Sequence, residues 1–224
     1  MEPISAWHII SYPRSGNHLV RGIVEAYSQR PTEGCIGIKS DTPIYQNKAN
    51  KDGIISIKSN VPIGYKAHLL REIHSRDLLY GRHNLGMVLI TRNPADAIAS
   101  HCARLLSNKR KYPILTERRK RVVVQNEIDN YLALIFRFAS QKKEMKVHLK
   151  YESLISPETS KQTVVELLSA LNVELTGPPL EKVLQITKSS QVSIGGRFPE
   201  LNGEIRSEVH SQLSYSDVLS YISS

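Results

Sequence analysis

The chain has 224 residues, with 30 Lys and Arg against 21 Asp and Glu, and a formal charge of +9. This length predicts a single domain over residues 1–224, and a content of 40% apolar and 23% charged residues excludes wholesale disorder. No apolar run is long enough to span a membrane, and the first ten residues lack the pattern of a signal peptide. Two cysteines without a CxxC or His/Cys cluster predict no disulfide framework and no metal site, so we expect a cytoplasmic protein.

The positive charge is concentrated in one segment. Residues 104–121 hold eight Lys and Arg and a single Glu, a net charge of +7, so the rest of the chain carries only +2. An excess of positive charge predicts an acidic partner, which can be nucleic acid, an anionic membrane or an anionic small molecule. Because the excess is local, we interpret this basic segment as a rim that attracts an anionic small molecule, and we expect neither nucleic acid nor a membrane as the partner.

Short apolar runs alternate with segments of helical period along the chain. Strands are predicted at 7–10, 54–57, 64–66, 87–90 and 147–149. Helices are predicted at 19–27, 95–106, 117–142, 158–171, 179–188 and 216–222, with another that begins near residue 70. This alternation predicts an α/β fold in three layers, with a mainly parallel central sheet flanked by helices. Binding sites in such sheets lie at the carboxyl ends of the strands.

The segment Tyr12-Pro13-Arg14-Ser15-Gly16-Asn17-His18 joins the first strand to the first helix. A helix N-terminus offers unpaired N–H groups and a partial positive charge to an anion. Gly16 lets the backbone approach that anion closely, and Arg14 adds a permanent cation. Further side-chain donors come from Ser15, Asn17 and His18. The loop therefore suits a phosphate group, although a polar turn with a capping Ser or Asn has the same composition; it is not a Walker A loop.

Arg92 and Ser100 form a second candidate site, after the most apolar strand. Asn93 and Pro94 suit the N-cap and first turn of a helix, so Ser100 lies two turns along that helix. A phosphate beside the helix could accept hydrogen bonds from the guanidinium and from the hydroxyl. The alternative is that Arg92 pairs with Asp96 and that Ser100 is a small packing residue.

Lys66 and His68 form a third candidate site at the end of another predicted strand. Residues two apart on an extended segment point to the same face, so the pair would supply a cation and a base that titrates near neutral pH. The alternative is one exposed lysine and an incidental histidine, since the chain has eight histidines.

In this order, these segments resemble the sulfotransferases that use 3′-phosphoadenosine-5′-phosphosulfate (PAPS). Residues 12–17 resemble the 5′-phosphosulfate loop of that family, and residues 92–100 resemble its 3′-phosphate motif. Lys66-Ala67-His68-Leu69 is similar to the segment that carries the catalytic base in cytosolic-type members, and Tyr151-Glu152-Ser153-Leu154 to a segment whose tyrosine lies near the adenosine. The resemblance implies a P-loop-NTPase-like sulfotransferase fold and transfer of a sulfuryl group to a hydroxyl or amine of a small-molecule acceptor, without a metal.

The resemblance also implies a role for each candidate residue. His68 would be the general base, with Lys66 and Arg14 assisting at the sulfuryl group and at the bridging oxygen. The 3′-phosphate would be held by Arg92 and Ser100. The implied cofactor-binding residues are Arg14, Ser15, Gly16, Asn17, His18, Leu19, Arg92, Ser100, Tyr151, Thr187 and Arg197.

Other classes of function remain open on the residues alone. A nucleotide-dependent kinase also needs an anion loop between a strand and a helix, but the Walker A loop and the Asp pattern of a Mg²⁺ site are absent. A basic nucleic-acid-binding protein would account for the charge, but the chain has only 6% aromatic residues and no RRM, KH or zinc-finger signature. A family member that only binds the cofactor product, 3′,5′-diphosphoadenosine (PAP), is a third alternative.

Overall fold

The computed structural model of the protein describes seven segments of the chain. They are residues 6–35, 42–46, 48–80, 85–107, 116–142, 146–189 and 199–223. Within these segments, no helix combines the length and the apolar character that are needed to cross a bilayer.

Five strands form the central sheet of the described part of the chain. They are β1 (Ala6–Ser11), β2 (Thr32–Glu33), β3 (Gly64–Ala67), β4 (Leu85–Thr91) and β5 (Lys146–Lys150). Their order across the sheet is β2-β3-β1-β4-β5, and all four neighbouring pairs are parallel. The predicted α/β fold with a parallel sheet is therefore confirmed, and β1 lies in its middle.

Helices cover both faces of this sheet. They are α1 (Asn17–Ser28), α2 (Leu70–Tyr80), α3 (Pro94–Leu106), α4 (Glu117–Ala139), α5 (Tyr151–Ile155), α6 (Ser160–Ala170), α7 (Leu180–Ser189), α8 (Pro199–Gln212) and α9 (Tyr215–Ser223). One hydrophobic cluster packs α1, α6 and α7 against one face, and a second packs α3, α4, α8 and α9 against the other. The three predicted layers are these two helical layers and the sheet between them.

The central strands are buried on both faces. Successive side chains of a strand point to opposite sides, so Ile9 and Val88 pack in the α1 cluster while Ile10 and Leu89 pack in the α3 cluster. These four residues are at most 1% exposed. A strand that is covered on both sides needs a continuous apolar run, which is the pattern that identified β4 in the sequence.

One prediction of secondary structure is wrong, and one helix was not predicted. Residues 54–57 form no strand, because the side chain of Asn50 donates to the carbonyl of Ile55 and accepts from its N–H, both at 2.9 Å, which satisfies these groups without a neighbouring strand. The stretch 199–212, which shows no clear period, forms α8. Among its described side chains, that helix fully buries only Ile205 and Val209, which are four positions apart. Its apolar face is therefore too narrow to be recognised in the sequence.

Candidate functional site

The three candidate segments meet at the carboxyl edge of the sheet. Because β1 lies between β3 and β4, the loop that follows Ser11 has His68 on one side and Arg92 on the other. Nδ1 of His68 lies 2.5 Å from the carbonyl oxygen of Ser11, and Nη1 of Arg92 donates to the carbonyl oxygen of Arg14 at 3.0 Å. Two direct hydrogen bonds thus join segments that are far apart in the sequence.

The loop between β1 and α1 turns through two residues with positive φ. These residues are Arg14, with φ of 72°, and Gly16, with φ of 91°. The N–H of Ser15 donates to the carbonyl of Tyr12 at 3.2 Å, and the N–H of Leu19 donates to the carbonyl of Gly16 at 3.0 Å. Gly16 is the N-cap of α1, so the loop leads directly into the positive end of that helix, as an anion site requires.

Gly16 is required by steric fit as well as by its backbone conformation. A Cβ at this position would lie 2.5 Å from Cδ2 of Tyr151, the first residue of α5. The ring of Tyr151 therefore packs directly on the loop, and the guanidinium carbon of Arg92 lies 5.2 Å from the centroid of the same ring. Tyr151 thus lies between the first and second candidate sites.

The substitution Gly16→Ala should lower the free energy of unfolding by about 3 kcal/mol, as measured by denaturant titration. A left-handed backbone costs a residue with a Cβ roughly 1–2 kcal/mol, and overlap with a packed ring adds about 1–3 kcal/mol. Gly53→Ala is the matched control, because Gly53 has φ of 62° but nothing within 4 Å of the added Cβ. We expect that control to lose only about 1 kcal/mol. Equal losses in the two variants would contradict the close packing of Tyr151 on the loop.

The other loop side chains differ in what they can do. Nδ2 of Asn17 donates to the carbonyl of Ile9 at 2.9 Å and so ties α1 to β1. The side chain of Leu19 is buried in the core, whereas His18 is exposed. Ser15 is only 1% exposed, and its Oγ has no hydrogen-bond partner among the described residues. A buried hydroxyl without a protein partner is the group that a bound ligand would satisfy.

Arg92 is held at the end of β4 by its backbone as well as its side chain. Its carbonyl accepts a hydrogen bond from Oη of Tyr131 at 2.9 Å. The alternative role of Arg92 as the partner of Asp96 is not what the structure shows, because Oδ1 of Asp96 lies 2.9 Å from Nε of Arg206. Ser100 lies two turns along α3 and is 8% exposed. The guanidinium and the hydroxyl are thus placed at the start and along the side of one helix.

Positive charge is concentrated around the loop. Burial lowers the pKa of Arg14, and the nearby charges of Arg104 and Arg92 lower it further. An arginine stays protonated even with a lowered pKa, so three guanidinium groups act on the same region. Their mutual repulsion is relieved when an anion binds, and the site therefore favours an anionic ligand.

His68 has a defined proton position. Its Nδ1 lies beside the carbonyl oxygen of Ser11, and 3.3 Å from Oγ of the same residue. Because a carbonyl oxygen can only accept, Nδ1 carries a proton, and in the neutral tautomer with this proton the lone pair is on Nε2. The backbone N–H groups of His68 and Leu69 both donate to Oε2 of Glu72, at 2.7 and 3.1 Å. Glu72 therefore fixes the turn between β3 and α2, a role that the sequence analysis missed.

Comparisons by sequence place the chain in no known family: no family model matches it, and no curated protein matches it. Solved structures do match. The crystal structure of mouse sulfotransferase SULT7A1 complexed with PAP matches with a TM-score of 0.55 and 12% identity, over 84% of this chain and 68% of that one. The sulfotransferase domain from the Synechococcus PCC 7002 olefin synthase matches with a TM-score of 0.54 and 13% identity, over 99% of this chain and 94% of that one. The chain has the sulfotransferase fold.

The fold that the resemblance of the short motifs implied is therefore confirmed. At 12% and 13% identity, most positions differ between this chain and the two solved structures. The fold depends on which positions are apolar and on where strands and helices end, and many different sequences meet those conditions.

Within this sulfotransferase fold, the remaining predicted residues have different outcomes. Lys66 lies on β3 and is 8% exposed, so it is not the solvent-exposed lysine of the alternative interpretation. Thr187 lies in α7, but its side chain is outside the described part of the structure. Arg197 also lies outside the described residues. The roles implied for Thr187 and Arg197 stay predictions.

Glu127, a half-buried carboxylate that the sequence analysis missed, supports Tyr12, the first residue of the loop. Oη of Tyr12 donates to Oε2 of Glu127 at 2.7 Å, and Nε2 of His101 lies 3.9 Å from the same oxygen. Burial raises the pKa of Tyr12 and lowers the pKa of His101. Tyr12 therefore remains a neutral hydrogen-bond donor, and it fixes the end of β1 to α3 and α4.

The basic segment is only partly described. Nζ of Lys120 lies 2.9 Å from carboxylate oxygens of both Glu117 and Glu204, so its charge is compensated. Arg118 and Arg121 are exposed on the first turns of α4, while residues 108–115 lie outside the described segments. Among the described residues of the segment, the exposed cations are therefore arginines, and the role of the segment as a rim stays a prediction.

Proposed function

We propose that this chain is a sulfotransferase that transfers a sulfuryl group from PAPS to a hydroxyl or amine of a small-molecule acceptor. The observation that carries the proposal is the arrangement around β1. An anion loop follows this strand, a histidine with its lone pair on Nε2 flanks it on one side, and Arg92 flanks it on the other. The three groups that such a transfer needs are thus joined at one edge of the sheet.

The donor set fits the two charged ends of PAPS. Arg14, the first turn of α1 and the unpartnered Oγ of Ser15 suit the 5′ end. The N–H groups of Ser15 and Leu19 already donate to loop carbonyls, so we assign the backbone contacts to Gly16 and Asn17. Arg92 and Ser100 suit the 3′-phosphate, which distinguishes PAPS from ATP. The ring of Tyr151 lies between the two ends and suits the adenosine.

The proposed chemistry needs one base and a fixed positive charge. His68 takes the acceptor proton at Nε2, because its Nδ1 proton is held by the carbonyl of Ser11. Arg14 stabilises the negative charge that develops on the bridging oxygen, and as a permanent cation it does so without giving up a proton. Lys66 helps to hold the transferring group. When bound, PAPS supplies the sulfuryl group, and positioning and electrostatics do most of the work.

The acceptor that we propose is a small molecule. The exposed guanidinium groups of Arg104, Arg118 and Arg121 would attract an anionic donor or an acidic acceptor to the protein. Neither nucleic acid nor a membrane is needed as a partner in this proposal.

A thermal-shift experiment with PAP, ATP plus Mg²⁺, and a generic DNA duplex tests the proposed function. We expect PAP to raise the melting temperature in a concentration-dependent way, because a ligand that binds only the folded state stabilises it. ATP and DNA should have much smaller effects. Stabilisation by ATP plus Mg²⁺ without an effect of PAP would indicate a kinase, and stabilisation by DNA alone would indicate a nucleic-acid-binding protein; either result would overturn the proposal.

A further inference from the structure

A continuous series of hydrogen bonds joins the last residue of β4 to the turn that follows this strand. Nε2 of His148 lies 2.8 Å from Oγ1 of Thr91, which lies 3.0 Å from Oη of Tyr215. Oη of Tyr215 donates to Oε2 of Glu152 at 3.2 Å, and Oε1 of Glu152 accepts from the backbone N–H of Asn93 at 2.9 Å. One carboxylate thus receives hydrogen bonds that originate on both sides of residue 92.

The direction of each hydrogen bond in this series is set by Glu152, because an ionised carboxylate can only accept. The single hydroxyl proton of Tyr215 goes to Glu152, so Tyr215 accepts from the hydroxyl of Thr91, and Thr91 accepts from Nε2–H of His148. Burial raises the pKa of Tyr215 and lowers the pKa of His148 to about 4, so neither side chain changes its charge near neutral pH. The series therefore keeps one arrangement under working conditions.

This series fixes the backbone that carries Arg92. The side chain of Thr91, which precedes Arg92, is hydrogen-bonded to Tyr215, and the backbone N–H of Asn93, which follows it, donates to Glu152. The carbonyl of Arg92 itself accepts a hydrogen bond from Tyr131. The two residues that open α5 act on the same arginine in different ways. Tyr151 places its ring beside the guanidinium, and Glu152 holds the turn that follows β4.

We propose that Glu152, together with Tyr215 of α9, is a positioning residue that holds Arg92 in the geometry that binds the 3′-phosphate of PAPS. This inference rests on the proposed function. Glu152 itself contacts the backbone of the turn rather than the ligand. Its loss should therefore weaken recognition of the 3′-phosphate much more than recognition of the 5′ end.

The test compares the affinities of PAP and AMP, which differ by the 3′-phosphate, by isothermal titration calorimetry on the full chain. We expect Glu152→Ala to weaken PAP binding by roughly tenfold, because it removes two hydrogen bonds to a charged group, and to weaken AMP binding much less. Glu152→Gln should lie between the wild type and Glu152→Ala, since its amide oxygen can still accept from Asn93 but its NH₂ group cannot accept the hydroxyl proton of Tyr215. Tyr215→Phe should show an intermediate loss, whereas Tyr221→Phe, the same change on the same helix, serves as the control.

The outcomes separate this inference from the function on which it rests. If the wild type prefers PAP to AMP but Glu152→Ala keeps that preference, the positioning role is overturned and the proposed function stands. If Glu152→Ala loses affinity for PAP and AMP equally, the residue has a general structural role and the inference is also overturned. If the wild type shows no preference for PAP, the proposed function and this inference fail together.

Discussion

Replacing His68 with alanine should reduce kcat for sulfuryl transfer by at least about 100-fold, because a positioned general base contributes at least that factor. Binding of PAP, measured by calorimetry, should be unchanged, since His68 acts on the acceptor rather than on the donor. The prediction follows from the geometry of the ring. The carbonyl of Ser11 holds the Nδ1 proton and leaves the lone pair on Nε2.

The control for this variant is His74→Ala. His74 lies six residues further along the chain, on the exposed side of α2. It should keep full activity and full affinity for PAP. If His68→Ala retains wild-type kcat, His68 is not the base, and the hydrogen bond from Nδ1 to Ser11 then serves only to join β3 to β1.

Replacing Arg92 with alanine should weaken PAP binding by roughly 100-fold and AMP binding much less. Two charge-assisted hydrogen bonds from a guanidinium to a phosphate contribute a binding free energy that corresponds to a factor of this order. AMP has no 3′-phosphate, so it does not form these two hydrogen bonds and cannot lose them. Some loss for AMP is expected, because Nη1 of Arg92 also holds the carbonyl of Arg14 in the loop. Calorimetric titration of both nucleotides gives the two factors separately.

Arg92→Lys is the matched control, since it keeps the charge but not the planar pair of donors. We expect its affinity for PAP to lie between those of the wild type and Arg92→Ala. An equal loss of PAP and AMP affinity in Arg92→Ala would place the arginine away from the 3′-phosphate. It would then assign Arg92 to support of the loop at Arg14.

The turn from β1 into α1 and the capped start of α3 could be predicted because their signals are local. A strand, a glycine and a helix start in succession create the loop, and the same residues create its positive potential. Asn93 accepts from the N–H of Ala95 as an N-cap, and Pro94 occupies the first turn of α3, both as their residue types indicate. The apolar run of β4 predicted burial on both faces for the same kind of reason.

Other features had no signal of this kind. Helix α8 buries too few residues to show a period. Within 54–57, the backbone groups of Ile55 are satisfied by Asn50 instead of by a neighbouring strand. The positioning network depends on residues as far apart as Thr91 and Tyr215, which are separated by 124 positions. A hydrogen bond between side chains so distant in the chain leaves no spacing that a sequence could reveal.

The sequence by itself therefore determined the local features of this protein, which are a strand–helix loop with Arg14 and Gly16, a histidine after a strand and an arginine before a capped helix on an α/β chain. Each of these follows from residue types within a few positions of one another. Only the tertiary structure decided that the segments form one site, because the order β3-β1-β4 places His68 and Arg92 on opposite sides of the loop. It also decided that Glu152 and Tyr215 support Arg92, since strand order and helix packing set the distances between remote side chains.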